Sequence, residues 1–350
     1  MTQIPIPFRS NPNDFSVLGA SKVVNAYAQK NGDDSKNPLS LVPVAGMKTF
    51  GPADGTQCRG MIYLEDEGLI YAVKGGRLTS LNSSGTLVEV GLVSGTAPVS
   101  MARNDAATQQ AVILGGGFVY MVEGGLLSSL GLEFTPIDVT FCGGRFVFAE
   151  DNGTFHWSDI NSATVNADSF ANAEANPDGL TSVLGVGNTL YLAGKVTTEV
   201  WAVSESSRAP FVRVGGAALN IGTSSPHAFK PFNNGVVMVG EDNAVYQLNG
   251  YQYSPISSNE VSLLIERETD KSAIIGFTHR RGVNWFYTLR GSDWTREYNA
   301  ATQTWADRED KYGNQWHCQH HVKAWGRDFF GDDTTGQIFE GDYTLFTDNS

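Results

Sequence analysis

The chain has 350 residues and a formal net charge of −13, with 41% hydrophobic, 11% aromatic and 17% charged residues. That apolar share supports a substantial core in one large all-β domain or two ordinary domains. The charge balance excludes a protein that grips phosphates through basic patches, because Arg280-Arg281 is an isolated pair.

In chain order, residues 1–42 come first, an Asn/Ser/Pro-rich arm with scattered apolar residues such as Ile4, Ile6, Phe8 and Phe15. This arm has too little apolar mass to fold alone. It either packs on its own domain or docks on a neighbouring subunit, and Ile4, Ile6, Phe8 and Phe15 are the expected assembly contacts. Residues 43–51, built around Pro43-Val44-Ala45-Gly46-Met47-Lys48-Thr49-Phe50, read as a strand.

A repeated unit follows. Leu69-Ile70-Tyr71-Ala72-Val73-Lys74-Gly75-Gly76 is echoed by Phe118-Val119-Tyr120-Met121-Val122-Glu123-Gly124-Gly125. Weaker echoes are Leu190–Gly194, Ala244–Gly250 and Gln337–Gly341. Each is short, rich in β-branched and aromatic residues, and stopped by glycine, as a strand ending in a turn would be. Most also follow another strand-like run across a Gly, Asn or Asp turn: Met61–Leu64, Ala111–Leu114 and Val236–Val239. Phe146–Ala149 likewise runs through Glu150-Asp151-Asn152-Gly153 into Thr154–Trp157. The 39 glycines, well above the roughly 7% of ordinary usage, serve such turns because glycine enters positive φ cheaply.

Hairpins recurring at roughly 40–50 residues match the blade length of a β-propeller. Units lie near 58–95, 97–135, 137–177, 180–217, 222–258, 273–309 and 317–350, giving seven blades, or six if one unit is merged or irregular. A ring must be fastened or it exposes an open strand edge, and 43–51 is the candidate outer strand of the last blade. The propeller would therefore occupy 43–350. Ser257–Glu268 predicts a short inter-blade helix, with Ser258 or Asn259 as cap and an apolar face of Val261, Leu264 and Ile265.

Catalytic and metal-binding patterns are weak. In Trp316-His317-Cys318-Gln319-His320-His321, strand alternation puts only Cys318 and His320 on one face, short of a zinc ligand set. The acidic turns Asn31-Gly32-Asp33-Asp34, Asp151-Asn152-Gly153 and Asp332-Asp333 lack the ligand series of a calcium loop. Cys58, Cys142 and Cys318 are odd in number and widely spaced, so they read as buried thiols. Asp151–Trp157 loosely resembles the Asp-box of sialidase-like propellers, but its Trp sits one residue too late and the motif does not recur. No GxSxG, HExxH or phosphate-loop motif occurs. The expectation is a non-enzyme with no catalytic residue, cofactor or metal. A glycan-binding or glycan-hydrolysing propeller is the alternative. Met1–Phe15 lacks the features of a signal peptide, and no run approaches the roughly 18 apolar residues of a membrane helix, so synthesis in a cytoplasm is expected.

Several short tracts, in order, resemble the packaged-DNA stabilisation proteins, the tail hub or nozzle family of short-tailed bacteriophages. They are Val24-Asn25, Ala45-Gly46-Met47, Arg59-Gly60-Met61, Tyr71–Leu78 with its Gly-Gly-x-Leu, and Val99-Ser100-Met101-Ala102. Gly144-Arg145-Phe146, Asn176-Pro177-Asp178-Gly179 and Ser254-Pro255-Ile256 leading to Glu260 complete the series. The resemblance implies a virion tail protein assembled in the host cytoplasm as a homo-oligomer, a hexameric ring below the portal and head-to-tail adaptor. It implies a ring that extends the DNA exit channel, retains packaged DNA and docks the tail needle and tailspikes or fibres. DNA would pass without specific binding, and no membrane partner is implied. Relatives usually continue into a further β-rich region beyond the point matching Ser350. The −13 charge then has two readings, an acidic lining that keeps the duplex mobile or plain solvation of the outer surface.

Overall fold

A computed structural model of the chain describes residues 22–32, 35–173 and 176–345. Consecutive apolar runs pair antiparallel across two-residue glycine turns. Lys74 faces Arg77 around Gly75-Gly76, and Gly115 faces Phe118 around Gly116-Gly117. At Gly116 and Gly117 φ is +60° and +80°, the left-handed pair that suits the twist of a tight hairpin.

Among the described residues these hairpins build seven four-stranded sheets, each a blade, so the seven-unit reading holds and the six-unit one does not. The blades occupy residues 58–92, 100–129, 138–172, 182–219, 230–255, 275–307 and 318–342. In six blades the strands run in simple sequence order from the inside outward. The inner strands are Cys58–Leu64, Ser100–Arg103, Asp138–Cys142, Ser182–Val186, Lys230–Phe232, Ile275–Arg281 and Cys318–Ala324, and each touches the next around a closed circle.

Seven separate hydrophobic cores lie between the blades, one per neighbouring pair. Tyr71, Val73, Ile113 and Val122 fill the gap between blades 1 and 2, and Phe155, Trp157, Leu192 and Trp201 that between blades 3 and 4. Ile70, Ala72, Phe329 and Ile338 join blade 7 to blade 1. A blade thus buries both faces, which is why Ile70–Val73, Ala111–Leu114 and Val236–Val239 read as unbroken apolar runs without in/out alternation. Each fully buried Val, Leu or Ile side chain stabilises the ring by roughly 1.5–3 kcal/mol.

The last blade is completed from the other end of the chain. Strands β1 (Ala26–Lys30) and β2 (Leu39–Pro43) form a hairpin, and β3 (Gly46–Thr49) is the outer strand of blade 7. Gly46 faces Asp342 and Thr49 faces Phe339, with Met47 buried against Phe277 and Phe330. The chain then crosses to blade 1, with the Phe50 and Gly51 N–H groups donating to the Ile338 carbonyl at 2.9 and 3.2 Å.

The described end of the arm lies on the chain's own propeller. Val24 bridges Asp307 in parallel at the outer edge of blade 6, and the Asn299 amide donates to the Ala28 carbonyl at 3.0 Å. Tyr27 stands edge-on to Phe286 at 4.8 Å. Among the described residues the one α-helix, α1 (Asn259–Arg267), connects blades 5 and 6. Ser258 caps it by accepting from the Val261 N–H at 3.3 Å. Val261 and Ile265 are buried in the core between those blades, with Leu264 against its border.

Candidate functional site

The bore of the ring is lined by inner-strand residues. Met101 and Arg103 come from blade 2, Asp138 and Thr140 from blade 3 and Leu184 from blade 4, with Lys230 from blade 5 and His227 from the 3-10 turn Pro226–Ala228 before it. They enclose about 350 Å³. A sphere of that size is about 9 Å across, narrower than even the roughly 12 Å major groove of duplex DNA. The propeller's own bore is therefore too narrow to pass a duplex.

The polar groups of this wall divide into satisfied and unsatisfied ones. Asp138 accepts from the Ser182 hydroxyl and the Val183 N–H with one oxygen, and from its neighbour Val139 N–H at 2.9 Å with the other. Arg103 pairs with Glu65 at 2.8 Å and Asp105 at 3.9 Å. Lys230 and His227 make no side-chain hydrogen bond or ion pair. Burial lowers the Lys230 ammonium from its ordinary value, with Asp138 opposing. Burial and then Lys230 bring His227 down to about 4.

A second polar centre sits between blades 6 and 7. Glu297 accepts from His279 Nε2 at 3.0 Å, from the Thr288 hydroxyl at 2.9 Å and from Arg308 at 3.3 Å to each oxygen. Arg308 also lies over the Trp316 ring at 3.9 Å. Burial alone would raise the Glu297 pKa, but the charges of Arg308 and His279 and the added hydrogen bonds overcome it and hold the carboxyl at about 2. Next to it, Arg296 joins Glu260 at 2.7 Å and Asp307 at 2.5 Å, and Lys22 pairs with Glu309. These groups fasten the arm's end and the helix to blade 6.

A cleft of about 440 Å³ opens on blade 3, lined by Glu133, Phe134, Glu150, His156 and Phe170. Phe134 stacks on His156 at 3.7 Å, and His156 Nε2 meets Glu150 at 3.0 Å. The nearby Asp151-Asn152-Gly153 segment is a hairpin turn, with Asn152 accepting from the Thr154 N–H at 2.8 Å. Trp157 points away into the core between blades 3 and 4.

The residues singled out in the sequence are scattered. In the Trp316–His321 stretch a β-bulge between Cys318 and His320 breaks the expected alternation, because an extra residue leaves the ladder and re-aims its neighbours. Cys318 enters the core between blades 6 and 7, Gln319 donates to the Cys58 carbonyl at 2.6 Å, and His321 meets Asp328 at 3.0 Å. His317 is exposed beside Asp333 at 3.3 Å. The three thiols are buried, and burial pushes Cys58 and Cys142 up to about 12. Among the described residues no group of three or more His, Cys, Asp or Glu is arranged to hold a metal ion, and no helix is long and apolar enough to cross a membrane. Ile4, Ile6, Phe8 and Phe15 lie outside the described residues, as do Asp33 and Asp34. The Glu297 centre went unseen in the sequence, since its partners lie on successive stretches of blade 6, up to 18 residues away.

Comparisons with known proteins agree with this architecture. The extracellular domain of a hybrid two-component system from B. thetaiotaomicron is similar over 85% of this chain, at 11% identity and a TM-score of 0.57. This chain spans 40% of that protein's length. The structure of U3-55K matches 85% of this chain and 98% of its own, at 9% identity and a TM-score of 0.54. The RRP9 WD40 repeats match 86% and 99%, at 8% identity and the same score. At such identities the likeness concerns the propeller fold alone. No curated protein sequence matches the chain. A family model described as "Bacteriophage P22 Gp10, beta-propeller" matches residues 24–342, nearly the whole ring together with its fastening strand, and the chain belongs to that family of phage structural propellers.

Proposed function

We propose that this chain is a subunit of the tail hub, or nozzle, of a short-tailed bacteriophage. Copies assemble into a hexameric ring below the portal and adaptor, extend the DNA exit channel, retain packaged DNA and dock the needle and the tailspikes or fibres. The observation that carries this reading is the family match over residues 24–342. The narrow bore supports it, because a DNA conduit then requires several subunits around a common axis.

In this reading the arm, residues 1–42, supplies subunit contacts through Ile4, Ile6, Phe8 and Phe15, while 43–350 forms the ring. The −13 charge favours passage of a duplex over adhesion to it. Electron microscopy of the purified protein and of intact particles tests the proposal, with this chain expected as a ring beneath the portal. A lone monomer absent from the tail would overturn it. The blade 3 cleft, with Phe134, His156, Glu133 and Glu150, is where the glycan alternative would reside. Turnover of a glycan panel that Glu150→Gln abolishes would favour that alternative instead.

A further inference from the structure

We propose that residues 4–8 of one copy add as an edge strand to the outer strand of blade 3 in a second copy, seating Ile4, Ile6 and Phe8 in the cleft beside that strand. The inference rests on the arm's role in assembly and adds where the arm lands.

The donor is shaped by its prolines. Ile4, Ile6 and Phe8 alternate with Pro5 and Pro7. In an extended strand alternate side chains share one face and alternate N–H groups share one edge. Proline has no N–H, so the edge formed by residues 5 and 7 cannot donate, whereas the edge formed by Ile4, Ile6 and Phe8 keeps every donor. Such a strand completes a sheet on one side and admits nothing beyond it. It also carries its three apolar side chains on a single face.

The acceptor is an open edge with an apolar floor. Blade 3 ends on Val165–Asn172, eight residues with no proline, and among the described residues no strand pairs with its far side. His156 faces Phe170 across this last strand pair, and Phe134 stacks on His156, so three rings lie side by side in the 440 Å³ cleft. Phe170 is 49% exposed, a large apolar ring left in water. Other edges fit less well. That of blade 6 is already taken by the chain's own Val24, and that of blade 5 is four residues long and closes on Pro255.

Charge and reach agree with this pairing. Arg9 is the one charged side chain in residues 1–13, and Glu133 of the cleft is exposed and makes no ion pair among the described residues. Thirteen residues separate Phe8 from Lys22, a tether of at most about 45–50 Å. The arm leaves the rim of blade 6, where Lys22 pairs with Glu309, and blades 6 and 3 stand three places apart in a ring of seven. Donor and acceptor on opposite flanks give a head-to-tail contact, the kind that repeats around a closed ring of subunits.

Disulfide trapping between two differently altered whole chains tests this. One carries Ile6→Cys and the other Ala167→Cys, an exposed position in the cleft, while the native Cys58, Cys142 and Cys318 are buried. Mixed and mildly oxidised, they should give a pair linked through positions 6 and 167, identified by peptide mass spectrometry. The yield should fall about tenfold or more when Leu126→Cys, on the outer strand of blade 2, replaces the acceptor, or when Phe170→Ser is added to it. Asn166→Cys is a second acceptor in the cleft should the first variant fail to fold. No link to either position, a link as strong at Leu126→Cys, or a link that forms only within one chain carrying both changes overturns the docking. Rings seen by electron microscopy without the link would remove this contact and leave the tail-hub reading standing.

Discussion

Glu297 holds three partners at once, His279, Thr288 and Arg308, in a space closed to water. Glu297→Gln leaves the Arg308 charge buried beside a neutral group, and the expected loss is roughly 3–5 kcal/mol in urea unfolding. A loss under about 1 kcal/mol would show the centre to be dispensable. The same group sets part of the acid response. Its folded value of about 2 lies below the ordinary 4.5, so its stabilisation is complete above 4.5 and disappears as pH falls towards 2. His227 and His320 act at higher pH. Depressed from 6.5 to about 4 and about 3, they stay neutral in the fold while the unfolded rings take up protons. Stability therefore declines from pH 6.5 downward and this part of the decline ends below the folded values. His320→Gln should flatten that upper limb in a series of urea midpoints, and a parent curve level between 6.5 and 4 would contradict the assignment. Gly85 is a backbone case. Its φ is +81°, and an added Cβ would stand 2.4 Å from the Phe50 carbonyl oxygen. Gly85→Ala should cost roughly 1–3 kcal/mol by thermal unfolding, with little change in secondary structure.

Among the elements, β3 carries the most consequence for its length. It is four residues long, yet it fills the last place in blade 7 and buries Met47. Met47→Ala should destabilise by roughly 2–5 kcal/mol. Deleting residues 43–51 should abolish the closed ring, and an unchanged melting temperature would refute the closure. Much of this level was legible beforehand. Glycine turns and apolar runs gave the blades, because a hairpin depends on neighbours in sequence. The α1 cap and face were legible for the same reason, Ser258, Val261 and Ile265 lying within one short stretch. The β1–β2 hairpin was not. Tyr27 and Val24 owe their order to Phe286 and Asp307, which no local pattern connects to them. The bulge at Cys318–His320 was missed because alternation assumes an unbroken ladder. The Glu297 centre escaped for a related reason, since His279, Glu297 and Arg308 meet only after the strands of blade 6 have paired.

For the molecule as a whole, order is circular. Each blade is stabilised by two neighbours, and the core between blades 7 and 1 completes the circuit. Assembly, in the proposed function, is a separate layer added by the arm. Replacing Ile4, Ile6, Phe8 and Phe15 with serine should leave the unfolding midpoint near that of the parent and abolish rings by light scattering and microscopy. Rings of undiminished mass would remove the arm from assembly. The fastening of blade 7 by β3 has a consequence for biosynthesis. Gly46 precedes its partner Asp342 by nearly the whole ring, so at roughly 5–20 residues per second β3 waits on the order of 15–60 s for its place. Until then the nascent chain is an unclosed arc with a bare strand edge, and a prematurely released fragment stays that way. A chain cut short before Asp342 would keep that edge exposed, open to aggregation and proteolysis.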